Sequence, residues 1–202
     1  MRLTCAKIAR TTIVTFGISC CSIGLSAMPD YQESINAHQS QFEKVALDLW
    51  NFAELGYQET QSSTLLQAEL KEEGFTVTSG IADIPTAFKA EYGTGGPVIG
   101  ILGEFDALPG IAQSISPFKE TIDNATGAGQ ACGHHLFGTG SAWAAVAIKE
   151  WLEETKTPGR VVFYGTPAEE GGSGKVYMAR SGAFDNVDIM LHWHPGSSND
   201  AS

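Results

Sequence analysis

Cysteine is scarce in this 202-residue chain. There are four, and Cys5, Cys20 and Cys21 all fall within the first 21 residues. Beyond them stands Cys132 alone, so residues 28–202 cannot form an internal disulfide. A lone thiol in an oxidising compartment is then explained by metal ligation or by plain burial. Basic residues are also few: 12 Lys and Arg face 23 Asp and Glu, a formal net charge of −11. With no basic run, the chain is not built for nucleic acid or for an anionic membrane surface. No apolar run reaches the ~20 residues that a stable membrane span needs. Internal repeats and low-complexity tracts are missing, which argues against solenoids and disordered arrays. No Gly-x-Ser-x-Gly elbow occurs in a suitable context, against one serine-hydrolase class. The run Gly171-Gly172-Ser173-Gly174-Lys175 fails as a phosphate loop. Glu169 stands where its first glycine is needed, and Val176 where Ser or Thr is needed.

What is present is a globular composition, 43% hydrophobic and 17% charged, long enough for one or two domains with a buried core. The N-terminus reads as a secretory signal peptide over residues 1–27. Arg2, Lys7 and Arg10 form a basic start, residues 11–25 are apolar or small, and Ser26-Ala27 precedes Met28 as a cleavage site. Leu25 is not ideal there, and lipidation of Cys20 or Cys21 is the alternative. The expected location is therefore exported, periplasmic or secreted. Cleavage leaves 9 basic against 23 acidic residues, a net charge of −14.

Residues 28–202 alternate helical and strand patterns. Apolar spacing predicts helices over 34–54 (Ile35, Phe42, Val45, Leu49, Phe52), 60–73, 135–154 and 175–180. Gly74 is placed to end the second of these. Strands are predicted at 75–77, 87–92, 98–102, 161–164 and 187–191, the last three as buried strands. A loop rich in Gly, Ser, Thr and Asn covers 109–133, and Pro158-Gly159 is a turn. This is an α/β pattern, with a mostly parallel sheet flanked by helices. Asp106, Glu169, Glu170 and His194 each follow a predicted strand, so parallel topology would gather them in one crevice.

Four segments carry chemistry. In Ala131-Cys132-Gly133-His134-His135, thiolate and imidazole are good ligands for zinc and related metals. They would diverge on a helix but can converge if Gly133 turns the chain; simple packing is the alternative. His135 is a spare ligand, a substrate contact or a helix N-terminal residue, with the non-ligand roles favoured. In Pro167-Ala168-Glu169-Glu170-Gly171, adjacent carboxylates are either a solvated acidic loop or a pair with separate jobs. One would bind metal, and the other would carry a proton from water to a leaving nitrogen. In His192-Trp193-His194-Pro195-Gly196, the spacing does not choose between the histidines. In Gly103-Glu104-Phe105-Asp106-Ala107-Leu108-Pro109, Asp106 either caps a turn or orients a metal-bound histidine.

Together and in this order, these segments resemble the aminoacylase and carboxypeptidase-type dinuclear metallopeptidase family. The likeness is to its aminobenzoyl-glutamate hydrolase and indoleacetyl-amino-acid hydrolase branch, and it extends from about residue 35 onward. The segment 132–141 (Cys-Gly-His-His-Leu-Phe-Gly-Thr-Gly-Ser) and the segment 167–171 are its most specific parts. The resemblance implies a zinc-exopeptidase-like catalytic domain holding two divalent metal ions, Mn or Zn. It implies metal ligation by Cys132, His134, Glu170 and His194, with Cys132 where other branches use a bridging aspartate. Glu169 would be general base and acid, and Asp106 the orienting carboxylate; His192 falls outside the matching position. The implied activity is amide hydrolysis of a small-molecule N-acyl amino acid, with aminobenzoyl-glutamate-like substrates favoured. A dipeptidase of the same mechanism is one alternative. Another is an inactive remnant that binds metal or a partner. The family also has a later metal-binding His and an inserted lid and dimerisation domain, absent here. Residues 28–202 are therefore expected to be the N-terminal part of a catalytic domain whose full-length parent is a homodimer.

Overall fold

A computed structural model describes residues 31–200. The signal peptide expected at 1–27, with Cys20 and Cys21, lies outside the described residues. The helix predicted over 34–54 is two helices, α1 (Tyr31–Ala37) and α2 (Gln39–Phe52). Phe42, Val45 and Leu49 of α2 recur at intervals of three and four and are buried together. Ile35 is exposed instead. Helix α3 (Thr60–Glu72) ends as predicted at Gly74, whose φ is +88°. The Gly74 N–H donates to Lys71 O, and the Phe75 N–H to Leu70 O. This paired closure needs a left-handed residue at the glycine.

Five strands form one sheet: β1 (Thr76–Ser79), β2 (Phe88–Thr94), β3 (Val98–Gly103), β6 (Gly159–Gly165) and β7 (Ile189–Leu191). Between β3 and β6 come the short strands β4 (Leu108–Pro109) and β5 (Ala128–Gly129), which pair with each other, and the 22-residue helix α4 (His134–Thr155). Helices α5 (Glu169–Gly172) and α6 (Gly174–Arg180) join β6 to β7. The sheet order is β1-β2-β6-β3-β7. Strand β3 is parallel to both β6 and β7, whereas β2 runs antiparallel to both its neighbours, β6 and β1. The parallel half is the half that carries the candidate residues.

Strand β6 shows why it sits in the middle. Val161 and Phe163 face the core built from α2, α3 and α4; Val162 and Tyr164 face the opposite core, which includes Met178 of α6. A strand buried on both faces reads as a continuous apolar run. Strand β7 differs from its expectation. The apolar run at 187–191 predicts a buried strand, but only Ile189–Leu191 is strand, and all three residues are exposed. Among the described residues its one strand partner is β3, so it is an edge, and apolar composition alone does not bury an edge. Among the described residues, no helix is long and apolar enough to cross a membrane.

Candidate metal centre

The parallel strands β3, β6 and β7 all end on the same side. Their following loops deliver Glu104 and Asp106, Glu169 and Glu170, and His192 and His194. The N-terminus of α4 delivers the rest. Gly133, at φ +83°, turns the chain between Cys132 and the helix that starts at His134. That turn lets the two residues converge although a helix would spread them. The 192–195 segment docks on α4: Trp193 Nε1–H donates to Ser141 Oγ at 3.0 Å, and the His192, Trp193 and His194 rings all pack edgewise on Phe137.

His134 is at the centre and has no exposed surface. Its Nδ1 lies 3.0 Å from both the Asp106 carbonyl oxygen and Asp106 Oδ1. Both are acceptors, so Nδ1 carries the hydrogen and Nε2 faces the crevice. His194 is arranged likewise, with Nδ1 2.9 Å from the Pro195 carbonyl. The two Nε2 atoms are 3.4 Å apart, and Cys132 Sγ is 3.5 Å from that of His194. Cys132, His134 and His194 thus present ligand atoms all within 4.8 Å of one another. Glu170 Oε1 is 3.9 Å and Glu169 Oε2 4.0 Å from His134 Nε2. Asp106 also grips the acidic loop, because its Oδ2 accepts the Glu170 N–H at 2.8 Å. His192 stands apart from this group, with its Nε2 3.7 Å from Glu104 Oε1.

The six residues expected to bind metal, carry the proton or orient a ligand are therefore brought together, and one more joins them. Glu104 is 2% exposed, and its Oε2 lies 3.0 Å from His134 Nε2. Glu104, His134 and Glu169 form a second group with ligand atoms within 4.8 Å. Sequence reasoning gives Glu104 no role. The available signal is its spacing from Asp106: two residues apart on an extended run share a side. Lys175, the last residue of the failed phosphate-loop run, pairs with Glu104 Oε1.

The electrostatics suit a cation. Four carboxylates, Glu104, Asp106, Glu169 and Glu170, surround His134. Glu104 Oε2 and Glu170 Oε1 are buried and receive no hydrogen bond while His134 Nε2 is bare. At 3.0 Å, Glu104 Oε2 and that Nε2 are then two acceptors face to face, which a proton or a cation must bridge. The protein alone settles this charge with protons. Burial lowers the His134 pKa, but Asp106 and Glu104 outweigh it and raise it to about 10. Burial, then a hydrogen bond to Glu170 and the charges of Glu170, Glu169 and Glu104, push the Cys132 thiol up to about 11. Burial would raise Glu104, but His134 and Lys175 hold it down at about 2. A divalent cation would replace those protons, and thiolate, imidazole and carboxylate are donors it accepts. The residues present therefore fit a metal.

Adjacent Glu169 and Glu170 have different surroundings. Ala168 is left-handed at φ +57°, and Glu170 has non-helical backbone angles. That bend leaves the Glu169 side chain 41% exposed and the Glu170 side chain 17% exposed. Both carboxylates reach within about 4 Å of His134 Nε2, but that of Glu169 is the more open to solvent.

The chain is similar to several known proteins. The chain is 44% identical over 163 residues to a subunit of the p-aminobenzoyl-glutamate hydrolase of Escherichia coli (strain K12), a match that covers 81% of this chain and 34% of that protein. It is 31% identical over 185 residues to the Xaa-Arg dipeptidase of Homo sapiens, covering 84% of this chain and 38% of that one. The chain thus spans little more than a third of the length of these relatives. Among solved structures, the Bacillus subtilis YXEP protein, a dinuclear metal binding peptidase, superposes with a TM-score of 0.68 at 26% identity. That match covers 80% of this chain and 44% of the other. Residues 100–202, which hold every candidate ligand, match peptidase family M20/M25/M40, and the chain belongs to that family.

Proposed function

We propose that residues 28–202 supply the N-terminal part of the catalytic domain of an exported, metal-dependent amidohydrolase. The observation that carries the reading is the convergence of Cys132, His134 and His194 ligand atoms within 4.8 Å, with the buried Glu104 Oε2 3.0 Å from His134 Nε2. In this reading Cys132, His134, Glu170 and His194 hold two divalent ions, Mn or Zn. Such ions would supply Lewis-acid polarisation of an amide carbonyl and of an attacking water. Glu169 takes a proton from that water on its exposed carboxylate and passes it to the leaving nitrogen. Asp106 fixes the His134 tautomer, keeping Nε2 free to bind. Lys175 keeps Glu104 ionised beside the site.

The favoured substrates are N-acyl amino acids of the aminobenzoyl-glutamate type, supported by the 44% identical Escherichia coli relative. Dipeptide hydrolysis is a second reading, supported by the human dipeptidase relative. Export is supported by the basic and apolar pattern of residues 1–27. A homodimeric full-length parent belongs to the same proposal and rests on the family resemblance.

The test is an assay of the metal-loaded protein against p-aminobenzoyl-glutamate, other N-acyl amino acids and dipeptides. Preference for aminobenzoyl-glutamate supports the reading, and preference for dipeptides moves it to the second. Metal binding with no hydrolysis of any substrate would leave a metal-binding remnant.

A further inference from the structure

One buried acid lies outside the cluster just described. Glu59 immediately precedes α3 and is fully buried. A polar side chain at that position usually caps the helix, yet this one makes no capping hydrogen bond. Glu54 does the capping instead, accepting the Gln61 and Ser62 N–H groups at 3.0 and 2.8 Å. The Glu59 carboxylate reaches across the fold. Its Oε1 accepts the Ala168 N–H at 2.7 Å, and its Oε2 accepts the Thr86 hydroxyl at 3.0 Å.

Ala168 is the residue before Glu169, and its left-handed backbone is one that an alanine keeps only when its surroundings hold it. The α2–α3 loop supplies those surroundings. A Cβ on Gly56 would lie 2.9 Å from the Ala168 Cα, and the Tyr57 hydroxyl donates to the Gly172 carbonyl at 2.5 Å. On the other side of Glu169, Asp106 accepts the Glu170 N–H. The amides before and after Glu169 are thus each held by a different buried carboxylate.

We propose that Glu59 is a positioning residue: with Asp106 it clamps the backbone on both sides of Glu169 and so aims that side chain into the crevice. The proposal deepens the functional reading above and rests on Glu169 being the proton carrier. Glu59 itself touches neither ligand nor substrate. Its side-chain oxygen matters, and its charge does not.

The test uses the full-length protein with Glu59→Met, which keeps volume but cannot accept a strong hydrogen bond, and Glu59→Gln, which keeps an acceptor oxygen. Amide hydrogen exchange at Ala168 is read first, because it needs no activity. Exchange in Glu59→Met is expected to be about tenfold faster than in wild type, with Glu59→Gln near wild type. In the metal-loaded enzyme, Glu59→Met should lower kcat about tenfold with KM and metal content little changed, and Glu59→Gln should restore it. Unchanged exchange at Ala168 in Glu59→Met overturns the proposal, whatever the activity. Faster exchange with wild-type kcat also overturns it, since the clamp would then not aim Glu169. If Glu169→Gln retains full activity, the proton-carrier reading fails separately.

Discussion

Asp106 holds His134 by Nδ1 at 3.0 Å while its second oxygen takes the Glu170 N–H at 2.8 Å. One buried carboxylate therefore sets both the ring orientation of an imidazole and the path of the acidic loop. Replacing it with Asn keeps the shape but lets an amide N–H face Nδ1, which favours the wrong tautomer. Asp106→Asn should weaken metal affinity about 10- to 100-fold, as read by competition with a chelator. Wild-type affinity would mean that Asp106 does not orient the ligand.

Glu169 is the more exposed of the two adjacent carboxylates and is the proposed proton carrier. Glu169→Gln should reduce kcat at least ~100-fold while metal content stays at the wild-type level. A loss of metal instead would make Glu169 a ligand, and a near-normal rate would remove it from the chemistry.

Two buried glutamates should respond to pH with opposite sign. Burial raises Glu59 from 4.5 to about 7, although the Ala168 N–H and the Thr86 hydroxyl oppose the shift. The folded state then holds its proton longer than the unfolded state does. Stability from this group is complete below the unfolded value and falls as pH rises from 4.5 to about 7, by on the order of 3 kcal/mol. Glu104 is held at about 2, so its contribution is present above 4.5 and is lost as pH falls towards 2. Thermal unfolding of metal-free protein across pH measures both. Glu59→Gln should gain on wild type between pH 5 and 8. Glu104→Gln should be less stable at neutral pH, with the gap closing in acid. Parallel curves for wild type and either variant would contradict the assignment.

Lys175 is a half-buried partner of a nearly fully buried acid. Removing it leaves Glu104 with the two histidines alone. Lys175→Met should cost metal-free protein about 2 kcal/mol, and added divalent ion should recover part of the loss by neutralising the same acid. Equal losses with and without metal, in denaturant titrations, would show that the ion does not sense Glu104.

Much of this arrangement is legible from local pattern. The continuous apolar run at Val161–Tyr164 marks a strand covered on both faces. Cys132 and His134 reveal a turn because Gly133 lies between them. Pairing direction is not local, however: Phe88–Thr94 reads as a strand, but nothing in it states that it runs antiparallel to β6. Burial of Ile189–Leu191 is not local either, since it depends on what lies beside the edge. His192 and His194 share a side on an extended run, so spacing does not separate them; the fold does, placing His194 Nε2 3.4 Å from His134 Nε2 and His192 Nε2 3.7 Å from Glu104. Glu59 carries no motif at all. Its partner is 109 residues away in the chain, and only the fold connects them.

The most direct measurement is the metal content of purified protein by mass spectrometry, for wild type and for Cys132→Ser, His134→Ala and His194→Ala. The account predicts divalent ions bound by wild type, with affinity falling at least about tenfold in each variant. Wild-type protein that takes up no divalent ion, or variants that bind as tightly as wild type, would contradict it.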